Sequence, residues 1–271
     1  MRSVRVVTLN LWNDRPDPVR RIEVAADGLR ALQPDIVALQ EVVGDGGSIE
    51  NQAAQLAKAL DATHHFDPVD SRKNGGPVGN AIVTRFPVLR ALSVALPSGD
   101  DDLRRALFCE LATPVGRLPV FTCHLSWEMW LSPRREAQVV AVDAFVHGHP
   151  GELPAILAGD FNASPDTAAI RFLTGRTSIL GKGTYYRDCF ARRRPDSHGY
   201  TWSDRNPYTV RWIERNRRLD YVFVGPIRED GWGAVLDARV VLDVPGPDGV
   251  YASDHFGVYA EIGQAPMEEA V

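Results

Sequence analysis

The stretch Ala155-Ile156-Leu157-Ala158-Gly159-Asp160-Phe161-Asn162 combines a short apolar run with two polar residues that come directly after it. A short apolar run of this kind is typical of a buried β-strand. Asp160 and Asn162 would then lie past the end of that strand, where a sheet can hold side chains rigidly at the edge of a cleft. Taken alone, either residue could equally be a turn former.

The same arrangement recurs at other strand-like runs along the chain. Each of these runs adjoins or contains a side chain that can bind a cation or move a proton, and several such side chains close together would form a reactive site. Carboxylates without a cysteine cluster suit a hard cation such as Mg²⁺ or Mn²⁺, and histidine beside aspartate suits proton transfer. The set predicts metal-assisted attack of water on a phosphoryl group. Its further members are Asn10, Glu41, His124, Asp220, Asp254 and His255.

Strand and helix patterns are interleaved along the whole chain. Asp17-Pro18 and Ser132-Pro133 each place proline at the start of a helix, and predict helices over residues 17–32 and 132–147. Several strand-like runs within residues 80–123 have short connections, which is typical of consecutive antiparallel strands. Because the sequence has no linker or repeat, we expect a single domain over residues 1–263 and a flexible acidic tail over residues 264–271.

The composition excludes several classes of protein. Of 271 residues, 44% are hydrophobic and 24% are charged, which argues against a disordered or fibrous chain. No apolar run approaches the roughly 20 residues that cross a bilayer, and no leader pattern precedes the first strand. Three scattered cysteines do not make a disulfide framework, so we expect a cytoplasmic protein. The net charge of −5 argues against a protein that coats nucleic acid.

Taken in order, seven motifs resemble those of the endonuclease/exonuclease/phosphatase superfamily. That group includes deoxyribonuclease I-like nucleases, apurinic endonucleases, inositol polyphosphate 5-phosphatases and neutral sphingomyelinases. The resemblance extends from Val4 to about Ile262. The motifs are Thr8-Leu9-Asn10, Leu39-Gln40-Glu41-Val42, Gly79-Asn80-Ala81-Ile82-Val83-Thr84-Arg85-Phe86-Pro87, Thr122-Cys123-His124-Leu125, Gly159-Asp160-Phe161-Asn162, Arg218-Leu219-Asp220-Tyr221-Val222-Phe223 and Ser253-Asp254-His255.

The resemblance implies a fold and an activity. The fold would be a four-layer αββα sandwich, an α/β (α+β) architecture in which two mixed, mostly antiparallel β-sheets are flanked by helices. The activity would be hydrolysis of a phosphoester by water with the help of Mg²⁺ or Mn²⁺. The active site would lie at one end of the two sheets.

The resemblance also implies a role for each site residue. Glu41 matches the principal metal ligand, and Asn10 and Asp254 match residues beside the metal. Asp160 matches the carboxylate that orients or deprotonates the attacking water. Whether Asp160 or the aspartate–histidine pair is the general base stays open. The other matched roles are support of the water by Asn162, contact with the phosphate or leaving group by His124, and a hydrogen-bonded pair formed by Asp220 and His255.

Two departures from the superfamily pattern bear on the substrate. Apurinic endonucleases have aspartate where this chain has Trp12, and deoxyribonuclease I-like sequences often have proline where this chain has Phe256-Gly257. Both argue against a DNA-repair nuclease. We therefore expect a monomeric phosphodiesterase for a small or amphiphilic phosphoester. The alternatives are an endonuclease or exonuclease acting on DNA or RNA, and a binding module that has lost activity.

Aromatic residues near the motifs could contact the substrate, although a packed core would use them equally well. Among them Trp12, Trp127 and Trp202 are candidates, together with Asn80, and Trp130 and Trp212 lie in the same regions. Residues 187–218 hold nine arginines and four acidic residues. This excess could favour an anionic substrate or form a solvated loop. All but three of the 30 basic residues are arginines, so arginine clusters carry less weight here.

Overall fold

The computed structural model describes residues 3–44, 51–69, 77–99, 102–210, 214 and 216–265. Four residues of the arginine-rich region (Arg211, Trp212, Ile213 and Arg215) and residues 266–271 of the expected tail lie outside this range. The strands are β1 (Ser3–Asn10), β2 (Ile36–Val43), β3 (Thr63–Val69), β4 (Val78–Thr84), β5 (Val88–Ala95), β6 (Arg105–Thr113), β7 (Gly116–His124), β8 (Ile156–Asp160), β9 (Arg187–Asp188), β10 (Asp220–Val224), β11 (Trp232–Val241) and β12 (Gly257–Gln264). The helices are α1 (Pro18–Leu32), α2 (Gln52–Ala59), α3 (Ser132–His147), α4 (Ala168–Leu173) and α5 (Cys189–Arg193).

The strands form two six-stranded mixed sheets within the described residues. The first has the order β11-β12-β1-β2-β4-β3 and the second β5-β6-β7-β8-β10-β9. The β1–β2 and β7–β8 pairs are parallel, and the other pairs are antiparallel. The predicted four-layer sandwich of two mostly antiparallel sheets between helices is therefore confirmed.

Buried strands carry apolar residues toward both faces because successive side chains point to opposite sides of a sheet. Val6 of β1 and Ile36 of β2 belong to the core between the two sheets. Their neighbours Val7 and Val37 belong to the core that α1 and α2 form with the first sheet. Helices α3 and α4 cover the second sheet in the same way. No helix in the described part of the chain is both long enough and apolar enough to cross a membrane.

The strand register places the chemically informative residues at one end of both sheets. Asp160 at the end of β8 lies opposite His124 at the end of β7 and opposite Asp220 at the start of β10. In the first sheet, Asn10 at the end of β1 lies opposite Gln40 of β2. His255 precedes β12, which pairs antiparallel with β1. The topology thus converts residues far apart in sequence into neighbours.

Gly159 allows β7 and β8 to approach each other beside this cluster. It has φ +153°, and a Cβ atom there would lie 2.1 Å from the carbonyl oxygen of Cys123. A side chain at this position would therefore push apart the strands that carry His124 and Asp160.

The structure differs from the sequence-based expectation in three places. Strand β3 was not predicted. It contains Pro68, which cannot donate a ladder hydrogen bond, and it lies at a sheet edge, where proline is tolerated. Strands β4 and β5 do not form a hairpin, because the chain passes from the first sheet to the second between them. The pair Ser164-Pro165 is typical of the start of a helix, but the helix that follows begins only at Ala168.

Candidate active site

Asp160 is the centre of the polar cluster at the end of the sheets, and it is 1% exposed. Its Oδ2 atom accepts a hydrogen bond from Asn10 Nδ2 at 3.0 Å and lies 3.5 Å from Nε2 of His124 and 3.8 Å from Nε2 of His255. Its Oδ1 atom accepts from the backbone N–H of Asn162 at 2.9 Å. Asp160 therefore connects residues from both sheets and from the loop before β12.

Asp220 and His255 form a buried hydrogen-bonded pair. Nδ1 of His255 lies 2.8 Å from Oδ2 of Asp220, and Nε2 of His255 faces Asp160. The backbone N–H groups of Leu219 and Asp220 donate to Thr201 Oγ1, which fixes the start of β10. The carboxylate at Nδ1 favours the tautomer in which that nitrogen carries the proton.

Glu41 enters the cluster through a distortion of β2. It has φ +53°, and the pairing of β2 with β4 is irregular between Leu39 and Val42. Such a bulge redirects one side chain relative to a regular strand, and a left-handed glutamate stores backbone strain. Oε1 of Glu41 accepts from Asn10 Nδ2 at 3.2 Å, and Oε2 accepts from Asn13 Nδ2 at 2.7 Å.

Asp254 is a second buried carboxyl group close to Glu41. It is 6% exposed, and burial together with the negative charge of Glu41 raises its pKa to about 7, although His255 opposes the shift. Burial, followed by the negative charge of Asp220, likewise raises the pKa of Asp160 to about 7. The cluster therefore holds more carboxyl groups than its own cations can neutralise.

The two histidines of the cluster favour opposite charge states. Burial and the positive charges of Arg104 and His255 hold the pKa of His124 well below its ordinary value. Burial also disfavours the charged form of His255, but the negative charges of Asp220 and Asp160 outweigh it and raise the pKa of His255 well above that value. The site thus pairs a neutral imidazole with an imidazolium.

A fully buried arginine organises the loop after β1. Arg21, in the first turns of α1, donates from Nη1 to the carbonyl of Leu11 at 2.7 Å, from Nη2 to that of Asn13 at 3.0 Å and from Nε to that of Pro16 at 2.9 Å. Its guanidinium also lies 5.0 Å from the ring centre of Trp12. These bonds fix the loop that contains Asn13, the residue that donates to Glu41.

The tryptophans expected near the substrate lie around the cluster in different environments. Trp12 is half-buried against Tyr208, with ring centres 4.8 Å apart, and its backbone N–H donates to Asn10 Oδ1 at 2.9 Å. The Trp202 ring lies edge-on to His255, with ring centres 5.0 Å apart. Trp127 is 50% exposed in the segment after His124. Their contact with substrate stays a prediction.

Asn80 does not share these surroundings. It is 3% exposed in β4, and its Nδ2 atom donates to the backbone carbonyl of Arg105 in β6 at 2.9 Å. This bond joins the two sheets, so the structure gives Asn80 a packing partner rather than an open position. A role in substrate binding stays a prediction.

The arginine-rich region is largely engaged with the protein itself. Arg218 forms a buried salt bridge with Asp188 at 2.7 Å, and the buried Arg187 donates to backbone carbonyls, including that of Gly225 at 3.3 Å. Arg205, which is exposed, pairs with an aspartate of the loop after β11. Arg218 thus pairs with an acidic residue of the same region, whereas the partner of Arg205 lies outside it.

Sequence reasoning missed several residues that support the site. Gln40 is fully buried and donates to Thr122 Oγ1 at 2.9 Å across the two sheets, which braces β2 beside Glu41. Asn13 and Arg21 were also missed. The sequence does indicate that Arg21 is buried, because it lies on the apolar face of α1 in line with Ala25 and Leu29.

A family model described as "Endonuclease/Exonuclease/phosphatase family" matches residues 7–255. This match covers nearly the whole chain and all of the cluster just described. The chain therefore belongs to the endonuclease/exonuclease/phosphatase family, a family of hydrolases that act on phosphoesters, and the resemblance found in the sequence is confirmed.

Other proteins are similar to this chain in sequence or in fold. The Escherichia coli (strain K12) protein named "Uncharacterized protein YbhP" is 26% identical over 175 residues, which span 59% of this chain and 67% of that protein. The crystal structure of D. rerio TDP2 complexed with a single strand DNA product has a TM-score of 0.77 at 20% identity, covering 97% of this chain and 99% of that chain. An endonuclease/exonuclease/phosphatase from Beutenbergia cavernae has a TM-score of 0.73 at 24% identity, covering 98% of this chain and 72% of that chain. At these identities the solved structures share the fold.

Proposed function

We propose that this protein is a divalent-metal-dependent phosphodiesterase in which activated water attacks phosphorus. The observation that carries the proposal is the convergence of Asn10, His124 and His255 on the buried carboxyl group of Asp160. We further propose that it acts as one domain, as a monomer in the cytoplasm, on a small or amphiphilic phosphoester.

The donor atoms of the cluster fit a hard cation. Glu41, Asp160 and Asp254 supply carboxylate oxygens, and Asn10 adds a carboxamide. Mg²⁺ and Mn²⁺ prefer such ligands. Burial, together with a neighbouring carboxylate, raises the pKa of Asp160 and of Asp254 to about 7, and a bound cation would favour the charged form of both groups. Glu41, with Asn10 and Asp254, would hold the metal, which would supply Lewis-acid stabilisation of negative charge on the phosphoryl oxygens.

Asp160, Asp220 and His255 form a second group of residues close enough together to bind a metal ion. Ligand atoms of Asp160, Asp220 and His255 lie within 4.8 Å of one another. The 2.8 Å hydrogen bond between Asp220 and His255 already uses two of them. We therefore assign this pair to proton transfer and charge stabilisation rather than to metal binding.

The protein side chains divide the work of the reaction. Asp160, held by the backbone N–H of Asn162 and by Asn10, would orient the attacking water and accept its proton. His255, kept cationic by Asp220, would stabilise charge on the phosphoryl group through Nε2. His124, as a neutral imidazole, would donate an N–H bond to a phosphoryl or leaving-group oxygen.

A nuclease is the second candidate function. The Trp202 ring beside His255 could stack on a base, and TDP2, whose fold this chain shares, has been crystallised with a single strand DNA product. The same catalytic groups would serve either substrate, so the distinction lies in the surfaces around them.

A substrate panel tests both candidates. Purified protein with Mg²⁺ is incubated with bis-p-nitrophenyl phosphate, a lipid phosphodiester, plasmid DNA and RNA, each with and without EDTA. We expect EDTA-sensitive turnover of the small or lipid diesters, and at least about 100-fold lower turnover for Asp160→Asn, which keeps the side-chain shape and removes the base. Efficient DNA cleavage without diester turnover would favour the nuclease, and full activity of Asp160→Asn would contradict the mechanism.

A further inference from the structure

The segment that follows His124 exposes large apolar side chains at the edge of the site. Within this segment, called here the rim loop (residues 126–131), Trp127 is 50%, Met129 52% and Trp130 77% exposed. Met129–Leu131 form a short 3₁₀ helix. Soluble proteins rarely expose several large apolar side chains side by side unless the surface has a partner.

The rim loop is held rigidly in this exposed arrangement. Arg135 of α3 is 5% exposed and donates to the carbonyls of Ser126 at 2.9 Å, Glu128 at 2.6 Å and Met129 at 3.0 Å. The side-chain oxygen of Gln138 accepts from the backbone N–H of Ser126 at 3.0 Å. The exposure of the tryptophans is therefore a property of a fixed backbone.

Leu125, the residue directly before the rim loop, is hydrogen-bonded to residues of the candidate active site. The backbone N–H of Leu125 donates to the carbonyl of Asp160 at 2.9 Å, and Asn162 Nδ2 donates to the carbonyl of Leu125 at 3.0 Å. A partner that covers the rim loop would thus lie next to the reacting groups.

The charge of the rim loop favours an uncharged partner. Its sequence, Ser126-Trp127-Glu128-Met129-Trp130-Leu131, has no basic residue and one acidic residue. The nearby Arg134 lies 3.5 Å from the carboxylate of Asp102. Surfaces for single-stranded nucleic acid combine aromatic rings with basic residues, whereas tryptophan beside aliphatic side chains is typical of groups that enter the interface of a lipid bilayer.

We propose that the rim loop is a contact surface for the neutral interface of a phospholipid bilayer. Trp130 and Met129 enter that interface, so that the phosphodiester of a lipid headgroup is presented to Asp160. The second part rests on the proposed phosphodiesterase function, but the binding itself does not.

A vesicle-binding experiment tests the contact without using activity. The wild-type protein, the double variant Met129→Ala/Trp130→Ala and the matched control Leu180→Ala are sedimented with phosphatidylcholine vesicles at low and high salt. Leu180 is 80% exposed and lies outside the rim loop. We expect the double variant to lose at least about tenfold in partition coefficient, the control to bind like the wild type, and binding to persist at high salt because it is apolar.

Two results would overturn the proposal. One is equal sedimentation of the double variant and the wild type, with matching thermal unfolding midpoints as evidence of intact folding. The other is that the wild type ignores vesicles but binds a single-stranded oligonucleotide through Trp130.

Turnover measurements separate this inference from the proposed function. If the wild type hydrolyses vesicle phosphatidylcholine and bis-p-nitrophenyl phosphate, the double variant should show a lower ratio of vesicle to soluble turnover. If vesicles bind through Trp130 but no phosphoester is hydrolysed, the contact stands and the proposed function fails. If soluble diester is hydrolysed but vesicles do not bind, the proposed function stands and the contact fails.

Discussion

Nδ1 of His255 lies 2.8 Å from Oδ2 of Asp220, and Asp220 in turn lies directly opposite Asp160 in the register of neighbouring strands. One strand pair thus holds both the carboxylate that orients His255 and the carboxylate that His255 faces. Asp220 and His255 should therefore act as a unit.

His255→Ala should lower kcat for a soluble diester by about 10² to 10³ fold, because removing one preorganised charge-stabilising group costs that much. Asp220→Asn should also lower kcat, since it removes the carboxylate that orients the imidazole of His255 and stabilises its protonated form. The double variant should be no worse than His255→Ala alone. Additive losses, measured in a double-mutant cycle, would show that the two residues act separately.

Metal removal should abolish activity, and Mg²⁺ should stabilise the wild-type protein. Mg²⁺ added to EDTA-treated wild type should raise the thermal unfolding midpoint, because a ligand that binds the folded state stabilises it. Glu41→Gln should show a smaller rise and require at least about tenfold more Mg²⁺ for half-maximal activity. Glu23→Gln on the exposed face of α1 is a matched control. An unchanged Mg²⁺ requirement in Glu41→Gln would remove Glu41 from the metal site.

Arg21→Met should destabilise the protein by at least about 3 kcal/mol, because it leaves several buried carbonyl oxygens without donors. Urea unfolding at neutral pH measures this loss. Arg30→Met, on the exposed side of the same helix, should cost less than about 1 kcal/mol. Similar values for the two variants would contradict the role assigned to Arg21.

The three cysteines should resist thiol reagents in the native protein. Burial raises the pKa of Cys109 to about 12 and raises the pKa of Cys123 and Cys189 further. At pH 8 roughly one Cys109 in ten thousand would be a thiolate, and raising the pH toward 12 would increase that fraction. Titration with a chromogenic disulfide should therefore find three thiols in guanidinium chloride and none in the folded protein. Rapid reaction of one thiol in the folded protein at pH 8 would contradict this burial.

Much of the fold was predictable because its signals are local. Helices α1 and α3 have the bounds expected from the sequence to within one residue, because each has proline in its first turn and carries an apolar face. The layered arrangement followed from the family motifs. Strand β3 could not be predicted from local pattern, because its pairing partner β4 decides its structure rather than its own residues.

The sequence predicted residues that the structure brings together in the cluster, but it did not predict the residues that support them. Polar residues at strand ends indicated Asp160, at the end of β8, and His255, just before β12, because a strand positions the residues at its ends. Gln40 and Asn13 were missed because their roles come from tertiary contacts with Thr122 and Glu41. The left-handed backbone of Glu41 likewise leaves no trace in the sequence.

Arg21 and Arg135 occupy equivalent places in the two outer layers of the sandwich. Each lies in the first turns of the helix that covers its sheet and binds the carbonyls of a loop at the active-site end. Helix and loop are consequently coupled through one arginine on each side of the molecule. Replacing α1 or α3 by a helix without this arginine would leave the attached loop without its anchor.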